Sequence, residues 1–183
     1  MDDIVKQAMV KWPNVPACTG WLGLDARGQW RLRDAQAQAC GFFTSGNEGA
    51  KGSELRHEKL IEFIGRNYLR EADGRWFFQN GPQRVYVELE ATPWIWRLRC
   101  AEGGVQLHRH TGQTLLASDI QQVLMDEQGR LYLLMPEGLG MVHSMDMLDA
   151  ANALEHEPWP AVQEVQSRNL PEMFAYVMSP ENS

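Results

Sequence analysis

The sequence predicts an α+β protein of two related lobes, each built from antiparallel β-hairpins with a packed helix. Three observations lead there. Short apolar runs recur in pairs around turns that end in glycine, the signature of hairpins. Two stretches, near 54–66 and 144–154, carry apolar residues at helical spacing instead. Three segments then share one pattern: WLGLDARGQWRL, YLREADGRWFF and VLMDEQGRLYLL. Each is an apolar strand, an acidic turn closed by glycine, then Arg or Gln and a second apolar strand, which reads as an internal repeat. The first and third are each followed by a helix, so the second reads as an elaboration of the first lobe. The join is expected near Ala91-Thr92-Pro93, giving an N-terminal α+β lobe over 1–91 and a C-terminal α+β lobe with a docked tail over 92–183.

The elements follow in order. Asp2 or Asp3 caps a short helix with Ile4, Val5, Ala8, Met9 and Trp12 on its docking face, and Pro13 stops it. Trp21–Leu24 and Trp30–Leu32 form the first hairpin. From Asp34 to Ser53 periodicity dissolves into a glycine-rich segment that reads as a flexible surface loop. Lys51 precedes Gly52 there, so the Gly-Lys-Ser/Thr order of a phosphate-binding loop is absent. A helix over about Glu54–Arg66, capped at Ser53 or its neighbours, buries Leu60, Ile61, Phe63, Ile64 and Tyr68. Asp73-Gly74 turns the second hairpin. Gln83–Glu90 alternates as a half-buried strand, with Glu88 and Glu90 sharing its exposed face. Trp94–Cys100 is a strand with both tryptophans on one side, and Glu102-Gly103-Gly104 turns it into Val105–His110. Ile120–Met125 and Arg130–Met135 make the third hairpin. Pro136 to Gly140 is a loop, Met141–His143 a short strand, and Ser144 or Asp146 caps a helix carrying Met147, Leu148, Ala151 and Leu154. The tail packs Met173–Met178 back on the body.

Composition narrows the function classes. The net charge is −7 and there is no basic run, which argues against nucleic acid as a partner. Three cysteines, widely spaced, make neither a disulfide framework nor a CxxC site and fit a reducing cytoplasm. No stretch approaches 18 apolar residues and the N-terminus lacks a signal-peptide core, so a cytoplasmic protein with no membrane partner is expected.

The stretches PNVPACTGWLGLDARGQWRL, HEKLIEFIGRNY and GRWFFQNGPQRVYVELEATPW resemble an uncharacterised proteobacterial family of about this length. The resemblance covers most of residues 12–178, including Leu170-Pro171-Glu172-Met173-Phe174. The segment between Gln36 and Gly52 is longer than the family pattern. More distantly, the hairpin–helix–hairpin order is similar to a second uncharacterised bacterial family with repeated α+β lobes, which implies a signalling role. Neither resemblance supplies catalytic residues.

Candidate chemistry comes from three places. Gln79 to Arg84 is a rigid polar turn in which Asn80-Gly81 supplies a positive φ and Pro82 fixes the next residue. Asn80, Gln83 and Arg84, with Arg75, could offer amide and guanidinium donors to a small anionic ligand or a partner peptide. Trp94 and Trp96 could add an aromatic wall at the junction of the lobes. His108 and His110 lie two apart on a strand, so their rings could share a metal if Glu102, Cys100, His143 or His156 converged on them. There is no GxSxG, no dinucleotide GxGxxG and no HExxH, because Ile61 stands where His57-Glu58 would need the second histidine. No cofactor is implied. The leading expectation is therefore a non-catalytic ligand- or peptide-binding regulatory module. A metal-assisted enzyme using His108 and His110 is the alternative, and an oligomeric scaffold, a homodimer paired through an edge strand such as Val105–His110, is the third reading.

Overall fold

The computed structural model describes residues 1–101 and 104–180, so the turn expected at Glu102-Gly103 lies outside the described residues. The chain divides into two compact units. The first holds Met1–Asp25, Gln29–Glu90 and the chain from Tyr176, and the second holds Ala26–Gly28 and Ala91–Ala175. The architecture is α+β, one sheet with helices in each lobe.

In the first lobe, α1 (Asp3–Lys11) precedes β1 (Cys18–Leu24) and β2 (Trp30–Leu32). Then come α2 (Ala35–Ala39), β3 (Ser53–Glu54), α3 (Glu58–Arg66), β4 (Tyr68–Arg70), β5 (Trp76–Asn80) and β6 (Gln83–Leu89). The sheet order is β3-β2-β1-β6-β5-β4, with β1 and β6 parallel at its centre. The second lobe runs β7 (Trp94–Ala101), β8 (Gly104–Arg109), β9 (Thr114–Leu115), β10 (Gln122–Asp126), β11 (Leu131–Met135), β12 (Gly138–Val142), α4 (Met147–His156), β13 (Val162–Val165) and α5 (Leu170–Met173). Its order, taken from β9, is β9-β8-β7-β12-β11-β10-β13, with β7 and β12 parallel. Up to β10 this is the first order with six added to every strand. By that correspondence the β4–β5 hairpin matches β10–β11, rather than elaborating the first lobe.

The three hairpins that share a sequence pattern share one turn. The Asp25 N–H donates to the Gln29 carbonyl, Glu71 to Arg75 and Asp126 to Arg130, at 2.9 to 3.1 Å. Gly28, Gly74 and Gly129 each take the positive φ that closes such a turn. In all three an acid also ties the turn down; in the middle one Asp73 accepts from the Arg75 N–H and Nε. Asp25 accepts from the Gln29 N–H and the Arg31 Nε. Asp126 accepts from the N–H groups of Gln128 and Arg130, from the Arg130 Nε and from the Tyr132 hydroxyl. Burial pushes the Asp126 carboxyl up, but these hydrogen bonds outweigh it and hold the group below its ordinary range.

Several elements depart from expectation for identifiable reasons. Helix α3 starts at Glu58, because Ser53-Glu54 is spent pairing with β2 and the His57 Nδ1 accepts the Leu60 N–H as the cap. Of its expected stripe only Ile64 is buried within the helix. Helix α1 buries Val5 alone, leaving Ile4 and Trp12 largely exposed, and Asp2 pairs with Arg66 instead of capping. Strand β6 lies between β1 and β5 and is buried on both faces from Tyr86 onward, so Glu88 is interior rather than exposed. Helix α4 buries Ala150 and Ala153, not Leu148, because small residues let it approach β7 closely. Strand β8 is not an edge, since β9 pairs along its other side. The tail from Tyr176 joins the first lobe, not the second as expected: Leu89 donates to the Met178 carbonyl and Val177 to the Gly74 carbonyl.

The glycine-rich segment after β2 is anchored rather than loose. Arg33 is 2% exposed and donates to the carbonyls of Ala50 (2.8 Å), Gly20 (3.2 Å) and Gly41 (2.6 Å). No carboxylate pairs with it among the described residues. Phe43 is buried over Gly23, where a Cβ would come within 2.5 Å of its ring.

Candidate functional site

Strand alternation gives the first sheet two differently furnished faces. On one, β5 and β6 present Phe78, Asn80 and Val85. With Trp21 and Leu22 of β1, Leu32-Arg33-Asp34 at the end of β2, and Leu60 and Ile64 of α3, they line a groove of about 400 Å³. Trp21 is 50% exposed and Leu32 is 42% exposed. Phe63 meets Phe78 edge-on at 5.5 Å and fixes α3 against β5. The groove's one cation, Arg33, is committed to three backbone carbonyls, and an Asp34 oxygen accepts the Ala37 N–H to cap α2.

The other face carries Phe77 and Gln79 from β5, opposite Tyr86 and Arg84 from β6, with Arg75 just ahead of β5. Glu71 holds both arginines, Arg84 at 3.1 Å and Arg75 at 3.3 Å, and Asp73 takes Arg75 at 2.8 Å. The Arg75 guanidinium lies 4.5 Å from the Tyr86 ring centre and that of Arg84 lies 5.5 Å from the Phe77 ring centre. Burial, reinforced by the Glu71 hydrogen bond, raises the Tyr86 phenol above its ordinary pKa. Gln83 donates to the Pro16 carbonyl at 3.1 Å, and Asn80 is exposed on the groove side. The four polar residues expected to act together are thus divided. Asn80 belongs to the groove. Arg75 is bound by two acids, Gln83 is a tie to the segment before β1, and Arg84 keeps a half-exposed side chain.

Trp94 and Trp96 are 5% and 0% exposed, so neither offers a wall to a ligand. They stack at 6.0 Å inside the second lobe, and their indole N–H groups donate to the carbonyls of Glu137 and Leu133. His108 and His110 also part company. His108 shares a 3.0 Å hydrogen bond with Thr114. His110 follows the end of β8, packs 5.7 Å from the Trp94 ring, and its Nδ1 accepts the Ile95 N–H. Burial, with Arg109 adding to it, lowers the His110 pKa to about 3. Among the described residues no three His, Cys, Asp or Glu side chains converge as a metal site.

A family model described as "Protein of unknown function (DUF2946)" matches residues 1–181. The chain belongs to this family. The DUF2946 assignment agrees with the resemblance carried by the PNVPACTGWLGL and HEKLIEFIGRNY stretches. A DUF1285 family protein from Silicibacter pomeroyi DSS-3 has the same fold, with a TM-score of 0.51 at 12% identity over 78% of this chain and 72% of that one. A second DUF1285 family protein, from Shewanella baltica OS155, gives 0.49 at 16% identity over 73% and 91%. No curated protein matches the sequence. Among the described residues, no helix is long and apolar enough to cross a membrane.

Sequence reasoning missed the groove of this DUF2946 chain. Trp21 and Leu32 read as ordinary hairpin residues, and only pairing shows that their strand leaves them at an opening. The signal that was present is the pair Leu60 and Ile64, one helical turn apart, facing Phe78 and Val85 across the groove.

Proposed function

We infer that the protein is a non-catalytic binding module whose first lobe takes a small, largely apolar molecule in the groove between α3 and the sheet. One observation carries this reading: a cavity of about 400 Å³ with Trp21 and Leu32 left half in water at its mouth. That volume falls within the span of ligand pockets, roughly 300–1,000 Å³, whose walls are mainly apolar with a few polar groups. An anionic ligand is favoured less here, because the Arg33 guanidinium is already committed to the backbone. A regulatory or signalling role in the cytoplasm fits a binding lobe without catalytic groups. The matching strand order of the two sheets supports reading the lobes as copies of one unit, in which the first has an α-helix between its third and fourth strands and the second a single 3-10 turn at Ala117–Asp119.

The test is a titration with the neutral fluorophore N-phenyl-1-naphthylamine, beside native mass spectrometry of the purified chain. Trp21→Ala removes an exposed ring and should leave the melting temperature nearly unchanged while abolishing the fluorescence gain. Equal binding to Trp21→Ala would refute the assignment. So would the absence of both dye binding and a co-purified mass. Binding only of a protein partner through this face would replace the small molecule with a peptide.

A further inference from the structure

Strand β5 sends Phe78 and Asn80 to the groove, but Gln79 lines a separate cavity of about 350 Å³. Its other walls are Trp12 and Met9 from the end of α1, Pro13 and Val15 from the segment that follows, and Pro82 and Arg84 from the β5–β6 hairpin. Two polar groups stand out. Gln79 is 1% exposed, its Nε2 donates to the Gly81 carbonyl at 2.9 Å, and its Oε1 has no hydrogen-bond partner among the described residues. A buried acceptor without a donor is costly to the fold, and a ligand that supplies one recovers that loss. Arg84 is the cross-strand partner of Gln79, so the two side chains project side by side from one face. Its guanidinium meets Glu71 through NH1 at 3.1 Å and its side chain is half exposed. Five N–H donors on a guanidinium leave room for a second carboxylate. The apolar remainder includes Trp12, 51% exposed.

We propose that this cavity binds an N–H donor lying beside a carboxylate on an apolar residue. The donor meets the Gln79 Oε1, the carboxylate meets Arg84, and the apolar side chain lies against Trp12 and Met9. This chemistry belongs both to a free apolar amino acid, through its ammonium, and to the C-terminal residue of a peptide, through its amide N–H. The site is distinct from the groove and does not depend on the groove being occupied.

Three compounds test it by calorimetry on the full chain: L-leucine, N-acetyl-L-leucine and N-acetyl-L-leucinamide. At least one of the two carboxylates should bind, and N-acetyl-L-leucine should exceed its amide by about tenfold or more if the chain-end chemistry is right. The stronger of L-leucine and N-acetyl-L-leucine identifies the source. Arg84→Met keeps the aliphatic stem over Phe77 and should erase the preference for the carboxylate. Gln79→Met should weaken every bound compound by about tenfold. If thermal melting shows that Gln79→Met is unfolded, Trp12→Ala on the exposed rim carries the same expectation. Trp21→Ala should change nothing here. Absence of binding of either carboxylate at millimolar concentration overturns the proposal, and so does binding that is indifferent to Arg84→Met and Trp12→Ala.

Discussion

Arg97 and Asp146 meet fork to fork in the second lobe, Nε to Oδ2 at 2.6 Å and NH2 to Oδ1 at 3.0 Å. The same Oδ2 accepts the Leu98 N–H at 3.0 Å, so one carboxylate at the start of α4 is fastened to β7 by side chain and backbone together. Asp146 is nearly buried, while the Arg97 side chain is 42% exposed. Burial alone would raise the Asp146 pKa, but the Arg97 and Leu98 hydrogen bonds hold it below the ordinary carboxylate value. Asp146→Ala should therefore cost about 3 kcal/mol, since it strands a donor on β7 as well as breaking the pair. Arg97→Met should cost less, because water already reaches the guanidinium. Urea denaturation of the two variants checks the order. The Asp146 contribution is present above the unfolded-state carboxylate pKa and is lost as pH falls through the lower folded-state value.

His110 gives a second pH dependence at higher pH. Its folded-state pKa of about 3 lies below the histidine reference value, so the unfolded chain binds the proton first. Stability should be level above about pH 6.5 and fall by about 1.4 kcal/mol per pH unit below it, until the folded-state value is reached. In His110→Phe the segment between about pH 6 and pH 4 should flatten. An unchanged slope in chemical denaturation at those pH values would show that another group is responsible.

Arg33→Met should loosen the segment from Gly41 to Gly52 without disturbing the second lobe. Three carbonyls lose their charged donor, for an expected cost of about 3 kcal/mol or more. Hydrogen exchange should speed up at residues 41–52 and at the Arg33 N–H, which donates to the Trp21 carbonyl. Uniform protection across that segment would contradict the anchoring role.

Gly140 is a packing glycine. Its backbone pairs with Trp94, and a Cβ added there would stand 2.3 Å from the Trp96 ring. Gly140→Ala should cost about 1–3 kcal/mol through displacement of a fully buried indole. Near-ultraviolet circular dichroism, which reports the stacked Trp94 and Trp96 rings, should change along with the melting temperature.

Local chemistry made the hairpins legible. Asp25, Asp73-Gly74 and Asp126 with their glycines announce turns because the turn itself needs them. The parallel pairing of β1 with β6 was hidden, since partners some sixty residues apart leave no local pattern. Helix α4 was placed correctly but turned wrongly, because hydrophobicity ranks Leu148 above Ala150 while close approach to β7 favours the smaller residue. At the candidate sites, Asn80 and Arg84 drew notice as polar turn residues, and each does border a cavity. Trp94 and Trp96 drew notice for their size, and size is also why they fill the core. Beyond the Leu60–Ile64 spacing the groove left no trace, because an exposed Trp21 and a buried Trp30 look the same in a sequence.

The Met178 carbonyl that accepts the Leu89 N–H, and Val177, which donates to Gly74, set an order of events during synthesis. The first sheet holds all six of its strands once β6 has left the ribosome, yet these backbone partners arrive only after the whole of the second lobe has been made. The N-terminal lobe therefore finishes after the C-terminal one has been made. A premature stop just after Ala175, which spares the second lobe, should show its damage in the first one, as faster proteolysis around β5 and β6.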